Sequence, residues 1–489
     1  MMTQHTNGNR PWHIEQHGIN TIPELEKKGH PQDLFWVWFA ANIGILGVLY
    51  GGIIVSYHLS FLQSILTAAI GSLSFIIVGI LSIAGRDGSA PMLTLSRAVF
   101  GTRGNLLPTI VSWVNLLGWE SVTVITGTLS FEALLQTIFG VNASLYTSIA
   151  SMVIFIGLVV LFGLLGQATL VIIQKIAAWL FGLLTFSVIL LLLHGTHWNE
   201  VFTEPSGSWI RGFLPAVSMI IAGNGISWGN AAADYSRYQP HTVPKRTILW
   251  VVTLGSSIPV FILMMVGVLL TSRAPELVTA ANPIAAIGRL LPAWMAIPYL
   301  IAAIGGMLTQ ADLGLYSSGL NLLAMGVKVA RHKTIVIDAF IMGLITVYVL
   351  FIHQNFMGPF ESFLSLGGAG LAAWEATFIV DGWMIRRKTG YLPRISHSTQ
   401  RKFGWTHEIN GVALLCWGIG IMVGLLFTNS PLFNGPLAIG IFANSNLGVL
   451  FAFLSSGLLY GAMVYPHRNE QVQPRPRPIQ RDPGNVGKP

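Results

Sequence analysis

Charged residues and cysteine are both scarce in this 489-residue sequence. Asp, Glu, Lys and Arg together make up 9% of the chain, and Cys416 is the single cysteine. One cysteine excludes an intramolecular disulfide and a cysteine-rich metal site. The sequence has no phosphate loop, nucleophile elbow or metal-ligand spacing, and His353 and His407 are isolated. We therefore expect neither an enzyme, nor a cofactor, nor a resident metal.

Long apolar runs are abundant instead. The hydrophobic share is 53%, with a mean hydropathy of +0.64, and runs of about 18 or more residues can cross the roughly 30 Å of hydrocarbon in a bilayer. The sequence predicts an all-α polytopic membrane protein with about twelve transmembrane helices. A polar leader precedes the first run, so no cleavable signal peptide is expected. The predicted spans are 33–55, 60–84, 105–136, 146–167, 169–195, 211–232, 247–270, 293–327, 334–352, 360–385, 408–428 and 436–465.

The net charge of +8 is explained by topology. Of the 27 Lys and Arg residues, only Arg211, Arg273 and Arg289 fall in predicted outer segments, which leaves 24 on the side of the termini. The positive-inside rule therefore predicts that both termini are cytoplasmic, in a multi-pass protein of the plasma membrane. The expected partners are the lipid bilayer and a small molecule, with no nucleic acid; the oligomeric state is left open.

The chain divides into one membrane domain between two solvated ends. We predict a cytoplasmic N-terminal segment at 1–32, a transmembrane domain at 33–465 and a disordered, Pro- and Arg-rich tail at 466–489. Within the domain, hydropathy indicates a first repeat at 33–195, a second repeat at 211–385 and two extra helices in 408–465.

Two spans carry Asn and Gly at mid-depth. Span 1 contains Asn42 and Gly44, and span 6, five spans later, contains Asn224, Gly225 and Asn230. Glycine tolerates an opened backbone, and Asn can bond to it. Gly-interrupted spans at matching positions of two inverted halves are typical of a transporter's midplane site. The alternative is tight helix packing through small residues.

Two carboxyl groups lie at membrane depth. Glu120 follows Trp119 in span 3, and Asp312 lies in span 8. A buried ionisable residue costs about 2.5–3.5 kcal/mol on insertion scales and usually faces a bundle interior or a water-filled path. This pattern favours secondary active transport, with a membrane receptor or a channel as the alternative from a different class.

Four local patterns are distinctive, namely Phe35–Gly44, Gly118-Trp119, Ala233–Tyr238 and Asp312–Asn321. Together they resemble the nucleobase–cation symporter family 1, on its purine–cytosine permease branch. The resemblance covers about residues 24–390. It implies a LeuT-type fold of two inverted five-helix repeats plus two helices, and cation-coupled uptake of a nucleobase or similar flat heterocycle.

The resemblance also implies aromatic contacts with the substrate. Trp119 aligns with the aromatic that the family places against the ligand ring. The second aromatic falls at Gly225, a departure from the family pattern. Either Trp228, one helical turn later, substitutes for it, or the substrate has an aromatic ring on one side alone. Ser227 aligns with a ligand-bonding serine, or else bonds its own helix backbone.

Polar substrate contacts are expected from spans 1, 6 and 8. Asp312 lies in the window where the family keeps Asn or Asp for the ligand edge; alternatively it is a buried carboxyl bonded to Asn42. Gln310 and Asn224 are further candidates. The heterocycle itself is left open among cytosine, purines, uracil, allantoin, hydantoins, thiamine-type pyrimidines and pyridoxine-like rings.

The coupling ion is either H⁺ or Na⁺. Backbone carbonyls of Ala41 and Gly44 with the hydroxyl of Thr309 are the candidate sodium ligands, but the sequence before Thr309 offers no second hydroxyl. Hard cations prefer several oxygen ligands. Proton symport through Glu120 or Asp312 is therefore slightly favoured.

Overall fold

The computed structural model describes residues 17–164, 167–194, 198–274, 277, 280, 282–329, 331–353, 357–387, 390–391, 408–443 and 446–467. Within these ranges the chain is helical apart from loops and one small hairpin. The hairpin pairs β1 (Asn429–Ser430) antiparallel with β2 (Phe433–Asn434). The predicted tail at 466–489 lies almost entirely outside the described residues.

The first part of the chain forms ten helices within the described ranges. They are α1 (Pro31–Asn42), α2 (Leu46–Ser56), α3 (Phe61–Leu73), α4 (Ile76–Gly88), α5 (Met92–Leu95), α6 (Arg97–Phe100), α7 (Leu106–Phe139), α8 (Leu145–Gly163), α9 (Gln167–His194) and α10 (Trp198–Thr203). Ser60 and Gln63 begin α3 with a capping box: the Ser60 side chain accepts from the backbone N–H of Gln63, and the Gln63 side chain accepts from the backbone N–H of Ser60.

The remaining described residues form ten further helices. They are α11 (Leu214–Ile221), α12 (Ser227–Gly229), α13 (Ala232–Ser236), α14 (Lys245–Arg273), α15 (Pro283–Arg289), α16 (Ala293–Ala324), α17 (Arg331–Val347), α18 (Met357–Asp381), α19 (Gly411–Leu426) and α20 (Gly448–Val464). Wider π-helical turns occur at Trp209–Phe213, Ala222–Ile226, Tyr348–His353 and Gly382–Arg386.

Nine helical segments of the described chain are long and apolar enough to cross a membrane. The pair α1 and α2 forms a further span that is bent by 58°. Helices α19 and α20 are shorter apolar helices. The protein is thus an all-α polytopic membrane protein, and this arrangement is consistent with the expected set of spans.

The start of the last span differs from the prediction at 436. Its helix begins only at Gly448, after a short 3₁₀ turn at Gly440–Phe442. Apolar composition made the preceding residues resemble a span. Pro436 lacks a backbone N–H, and Asn446 adopts a left-handed φ of 40°, so the helix cannot extend back through them.

Of the two Gly-interrupted spans, the first is broken, as its sequence predicted, whereas the second continues as helix from Trp209 to Gly229 and widens into a π-helical turn at its Asn and Gly residues. Helix α1 ends at Asn42, and α2 resumes at Leu46 in a new direction. The matching span passes from α11 through the π-helical turn Ala222–Ile226 into α12, and a further interruption separates α12 from α13. A π-helical turn is rare and often marks a functional site.

Helix packing brings these breaks together. Helix α16 lies along α7 and also contacts α1, while α14 packs against α1 and α2. Helix α18 touches the π-helical turn on one side and packs against α19 and α20 on the other. The interrupted backbone therefore lies between α7, α16 and α18, in the interior of the bundle.

Candidate functional site

Two small cavities lie where the broken helices face α7 and α16. Their volumes are about 10 and about 20 Å³, so each has room for about one water molecule. An organic ring can enter only if the surrounding helices move apart. The first cavity is lined by Leu116, Trp119, Glu120, Thr123, Ser227, Trp228, Gln310 and Gly314. The second is lined by Ala41, Asn42, Gly44, Leu46, Gly47, Tyr50, Trp119, Gly223, Asn224, Trp228, Val260 and Gln310.

Trp119 contributes to both cavities from the middle of α7. Its side chain is 6% exposed. The rings of Phe360 and Phe363 on α18 meet it nearly at right angles, with centroids 5.9 and 5.6 Å away. The indole N–H of Trp119 has no hydrogen-bond partner among the described residues. The predicted platform is therefore an aromatic surface with one unused donor.

Trp228 lines both cavities as well, and Gly225 lines neither. The ring of Trp228 meets that of Trp38 at 85°, with centroids 5.5 Å apart. Gly225 lies against the turn between α3 and α4, where its N–H donates to Ser74 Oγ at 3.0 Å. A Cβ at position 225 would stand 2.3 Å from the Ser74 carbonyl oxygen. Glycine is thus required there for packing, and contact between Gly225 and a ligand stays a prediction.

The predicted polar side chains differ in whether they already have hydrogen-bond partners. Gln310 borders both cavities, and Asn224 borders the second. The Asn224 Nδ2 group is buried without a hydrogen-bond partner in the described part of the chain. Asn42 donates to Trp38 O at 2.8 Å in its own helix. Ser227 donates to Ala222 O, so its hydroxyl bonds its own helix backbone, the alternative that the sequence left open.

Glu120 is fully enclosed, with 1% of its surface exposed. Its side chain packs against α16, because a Cβ at Gly314 would lie 3.1 Å from Glu120 Cγ. Neither carboxylate oxygen makes a hydrogen bond of ordinary geometry within the described ranges. Glu120 and Trp119 are neighbours in sequence, yet both border the first cavity.

Asp312 lies on α16 two residues beyond Gln310, about 200° around the helix. It is 3% exposed and lines neither cavity. A direct contact between Asp312 and the ligand therefore stays a prediction.

The three groups named for a cation lie close together. Thr309 Oγ1 donates to Gly306 O at 2.8 Å and to Ala40 O at 3.3 Å, which joins α16 to α1. Ala41 and Gly44 border the second cavity. The terminal methyl of Met307 packs against Gly44, 2.4 Å from where a Cβ would stand. A thioether methyl therefore occupies the space next to the Cα of Gly44.

Sequence reasoning missed Tyr50 and Phe360. Tyr50 lines the second cavity and donates to Gly223 O in the π-helical turn at 3.1 Å. Its ring stacks on Phe360, with centroids 6.1 Å apart. A tyrosine inside an apolar run carries no distinctive sequence signal. Its role depends on the carbonyl that the irregular turn exposes.

The signature string at the end of α13 closes the site on the side predicted to be cytoplasmic. Tyr235 donates to Leu313 O at 2.7 Å and lies 2.9 Å from Ser317 Oγ. Arg237 donates to Tyr316 Oη at 2.7 Å and to Gly18 O at 2.6 Å. These bonds connect α13, α16 and the N-terminal segment beneath the cavities.

Comparison with known proteins identifies the family. A family model described as "Permease for cytosine/purines, uracil, thiamine, allantoin" matches residues 21–450. The chain belongs to this permease family. The protein is therefore a membrane transporter of the nucleobase–cation symport class, as the signature strings predicted, and it is not an enzyme.

Named relatives of the permease agree with this assignment. A Bacillus subtilis protein provisionally named a purine-cytosine permease is 26% identical, and the match covers 94% of this chain and 98% of the Bacillus protein. A purine-cytosine permease of Emericella nidulans is 24% identical and covers 87% of this chain and 83% of its own.

Solved structures show the fold. Mhp1, a nucleobase-cation-symport-1 family transporter solved in a closed conformation with bromovinylhydantoin bound, matches with a TM-score of 0.73 at 17% identity. That match covers 94% of this chain and 96% of Mhp1. A Na⁺-coupled sialic acid symporter in an outward-open state gives a TM-score of 0.53 at 13% identity and covers 90% of this chain and 98% of its own. The permease thus has the fold that the resemblance implied.

Proposed function

We propose that this permease imports a nucleobase or a related flat heterocycle, of cytosine or purine type, by proton symport with alternating access. The names of its relatives in Bacillus subtilis and Emericella nidulans support a cytosine- or purine-like substrate. The hydantoin bound to Mhp1 is likewise a flat heterocycle. Allantoin, hydantoins, thiamine-type pyrimidines and pyridoxine-like rings are the alternative substrates.

The observation that carries this proposal is a set of unused polar groups beside two tryptophans. The Trp119 N–H, the Asn224 amide N–H₂ and both Glu120 oxygens border the cavities and lack partners among the described residues. A buried polar group without a partner costs about 1–3 kcal/mol. A heterocycle stacked on Trp119 or Trp228 offers ring N–H and C=O groups that satisfy these donors and acceptors, so binding recovers that cost.

Proton coupling is supported by the groups around the candidate cation position. Sodium requires several oxygen ligands at once. The residues directly before Thr309 on α16 offer no second hydroxyl to complete such a set of ligands. Glu120, in contrast, is an enclosed carboxyl at the edge of the substrate cavity, the kind of group that symporters use to carry a proton.

A binding screen tests the substrate class. Purified permease is heated with cytosine, adenine, uracil, allantoin or a hydantoin, and the unfolding temperature is recorded. A ligand at 100 times its Kd stabilises the folded state by about 2.7 kcal/mol, so a substrate of the proposed type gives a clear upward shift. Uptake of the same radiolabelled compound by counterflow confirms transport. If every heterocycle leaves both measurements unchanged, the proposed substrate class is wrong.

Glu120→Gln tests the coupling. The variant keeps the shape of the side chain but cannot carry a proton, so it should bind substrate and lose accumulation driven by an inward proton gradient. Glu132→Gln is the matched control, because Glu132 lies on the same helix and bonds to Ser148 outside the site. Accumulation by Glu120→Gln at the wild-type rate would exclude Glu120 as the proton carrier.

A further inference from the structure

A second buried carboxyl, Asp338, lies on α17 and takes no part in the site described above. It is 0% exposed. From the sequence alone, Asp338 on span 9 is expected to neutralise an inner-face Arg or Lys rather than to contact a ligand. The structure corrects this expectation. In the described chain, Asp338 Oδ1 accepts from Trp113 Nε1 at 3.1 Å and Oδ2 accepts from Ser318 Oγ at 2.9 Å.

Ser318 places Asp338 within reach of Glu120. Gly314, which packs against the Glu120 side chain, is one helical turn before Ser318, so both residues lie on the same face of α16. Ser318 Oγ donates to Asp338 Oδ2, so this hydroxyl lies against Asp338 and one helical turn from the contact between α16 and Glu120.

Asp338 lies nearer than Glu120 to the predicted cytoplasmic side of the membrane. Glu120 is 14 residues after Leu106, the first residue of α7, which corresponds to about 21 Å along the helix. Asp338 is seven residues after Arg331, the first residue of α17, which corresponds to about 10 Å. Both of these helix starts lie on the side predicted to be cytoplasmic. Asp338 is thus closer to that side than Glu120.

We propose that Ser318 and Asp338 form the route by which the proton leaves Glu120 toward the cytoplasm. Protonated Glu120 donates to Ser318 Oγ as the Ser318 hydroxyl proton passes to Asp338 Oδ2. The products are the Glu120 carboxylate and protonated Asp338, so charge and protons balance. The inference rests on the proposed proton symport and assigns its exit path.

The other ionisable groups on the helices around Glu120 and Asp338 have different positions or partners. Helix α8 carries only Tyr146, at its outer end. The remaining groups near this region are Glu132 bonded to Ser148, Asp312 in the middle of α16, Glu361 in the first turns of α18, Glu375 against Gly229, Asp381 paired with Arg386, Arg289 ending α15, and Arg331 and Lys333 at the start of α17.

Ser318→Ala and Asp338→Asn in proteoliposomes test the route. Exchange of bound substrate across the membrane proceeds with the proton in place, so both variants should retain exchange. Net accumulation driven by an inward proton gradient requires proton release, and it should fall by about 100-fold, the contribution typical of a positioned proton-transfer group. Ser318→Thr, which keeps the hydroxyl, should restore it.

Two controls separate a relay from a structural role. Trp113→Phe removes the other hydrogen bond to Asp338 and leaves the hydroxyl relay intact, so it should retain accumulation. Ser121→Ala removes a hydroxyl that bonds only Leu117 O in its own helix, and it should behave like wild type. If Trp113→Phe loses accumulation as Ser318→Ala does, Asp338 has a structural role and the route is wrong.

The wild-type result distinguishes this inference from the function on which it rests. If wild-type permease does not accumulate substrate under a proton gradient, the proposed symport fails. If wild type accumulates and both Ser318→Ala and Asp338→Asn match it, the symport stands and the exit route is overturned.

Discussion

Replacing Trp119 tests the substrate platform directly. Trp119→Ala removes an aromatic surface that borders both cavities. Stacking of a base on an aromatic side chain contributes about 1–3 kcal/mol, so the Kd of the heterocycle should rise about 5- to 150-fold. Trp119→Phe keeps a ring but loses the indole N–H. A hydrogen bond contributes about 0.5–1.5 kcal/mol, so this variant should weaken binding about 2- to 10-fold.

Binding must be measured separately from stability, because removing a buried tryptophan also leaves a cavity that costs about 3–5 kcal/mol. The Kd of cytosine, or of the strongest ligand in the heterocycle screen, is measured by titration at a temperature where each variant is folded. Trp417→Phe is the control: Trp417 is 7% exposed, compared with 6% for Trp119, and its N–H donates to Gly370 O at 3.1 Å, away from the cavities.

The order in which the variants lose substrate affinity tests the role of Trp119 as a platform. The platform predicts the largest loss for Trp119→Ala, a smaller loss for Trp119→Phe and no change for Trp417→Phe. A folded Trp119→Ala protein with wild-type affinity would refute the reasoning, because it would show that the ring does not touch the substrate.

Three further predictions follow from the structure. If Asp312 carries a proton or recognises an amino edge of the substrate, Asp312→Asn should leave the permease folded but abolish active accumulation; wild-type uptake with unchanged pH dependence would assign Asp312 a structural role. Gly51→Ala should lower the free energy of unfolding by about 1–3 kcal/mol through overpacking, because its Cβ would stand 2.2 Å from a backbone carbonyl of α14. Gly418→Ala is the control for thermal unfolding and should not lower it, because nothing lies within 4 Å of the added Cβ. In intact cells an impermeant maleimide should label a cysteine at exposed Asn142 and spare one at Leu25, which is 90% exposed on the predicted cytoplasmic side; the reverse labelling would invert the topology.

The irregular backbone of spans 1 and 6, a break in the first and a π-helical turn in the second, could be predicted because its cause is local. Asn42 with Gly44, and Asn224 with Gly225, combine a permissive backbone with a side chain that can bond it, inside an apolar run that otherwise favours helix. The start of the last span was predicted wrongly because hydropathy measures apolar character alone, and it ignores the backbone limits at Pro436 and Asn446.

Side-chain partners were harder to predict than helix breaks. Gly225 aligns with an aromatic position, but it packs against Ser74, and Trp228 lines the cavities. Asp338 reads as a neutraliser of inner-face charge, because the sequence does not show that Ser318 and Trp113 face it. Such contacts depend on the relative rotation of helices that are distant in sequence.

Proton movement during transport is the most direct test of the central claim, that this permease carries a flat heterocycle together with a proton. Proteoliposomes containing the permease and a pH-sensitive dye are prepared without sodium, and cytosine, or the strongest ligand from the screen, is added outside. The account predicts that the interior acidifies as radiolabelled substrate enters, and that Glu120→Gln vesicles show no acidification. Substrate entry that requires sodium and leaves the internal pH unchanged would contradict it.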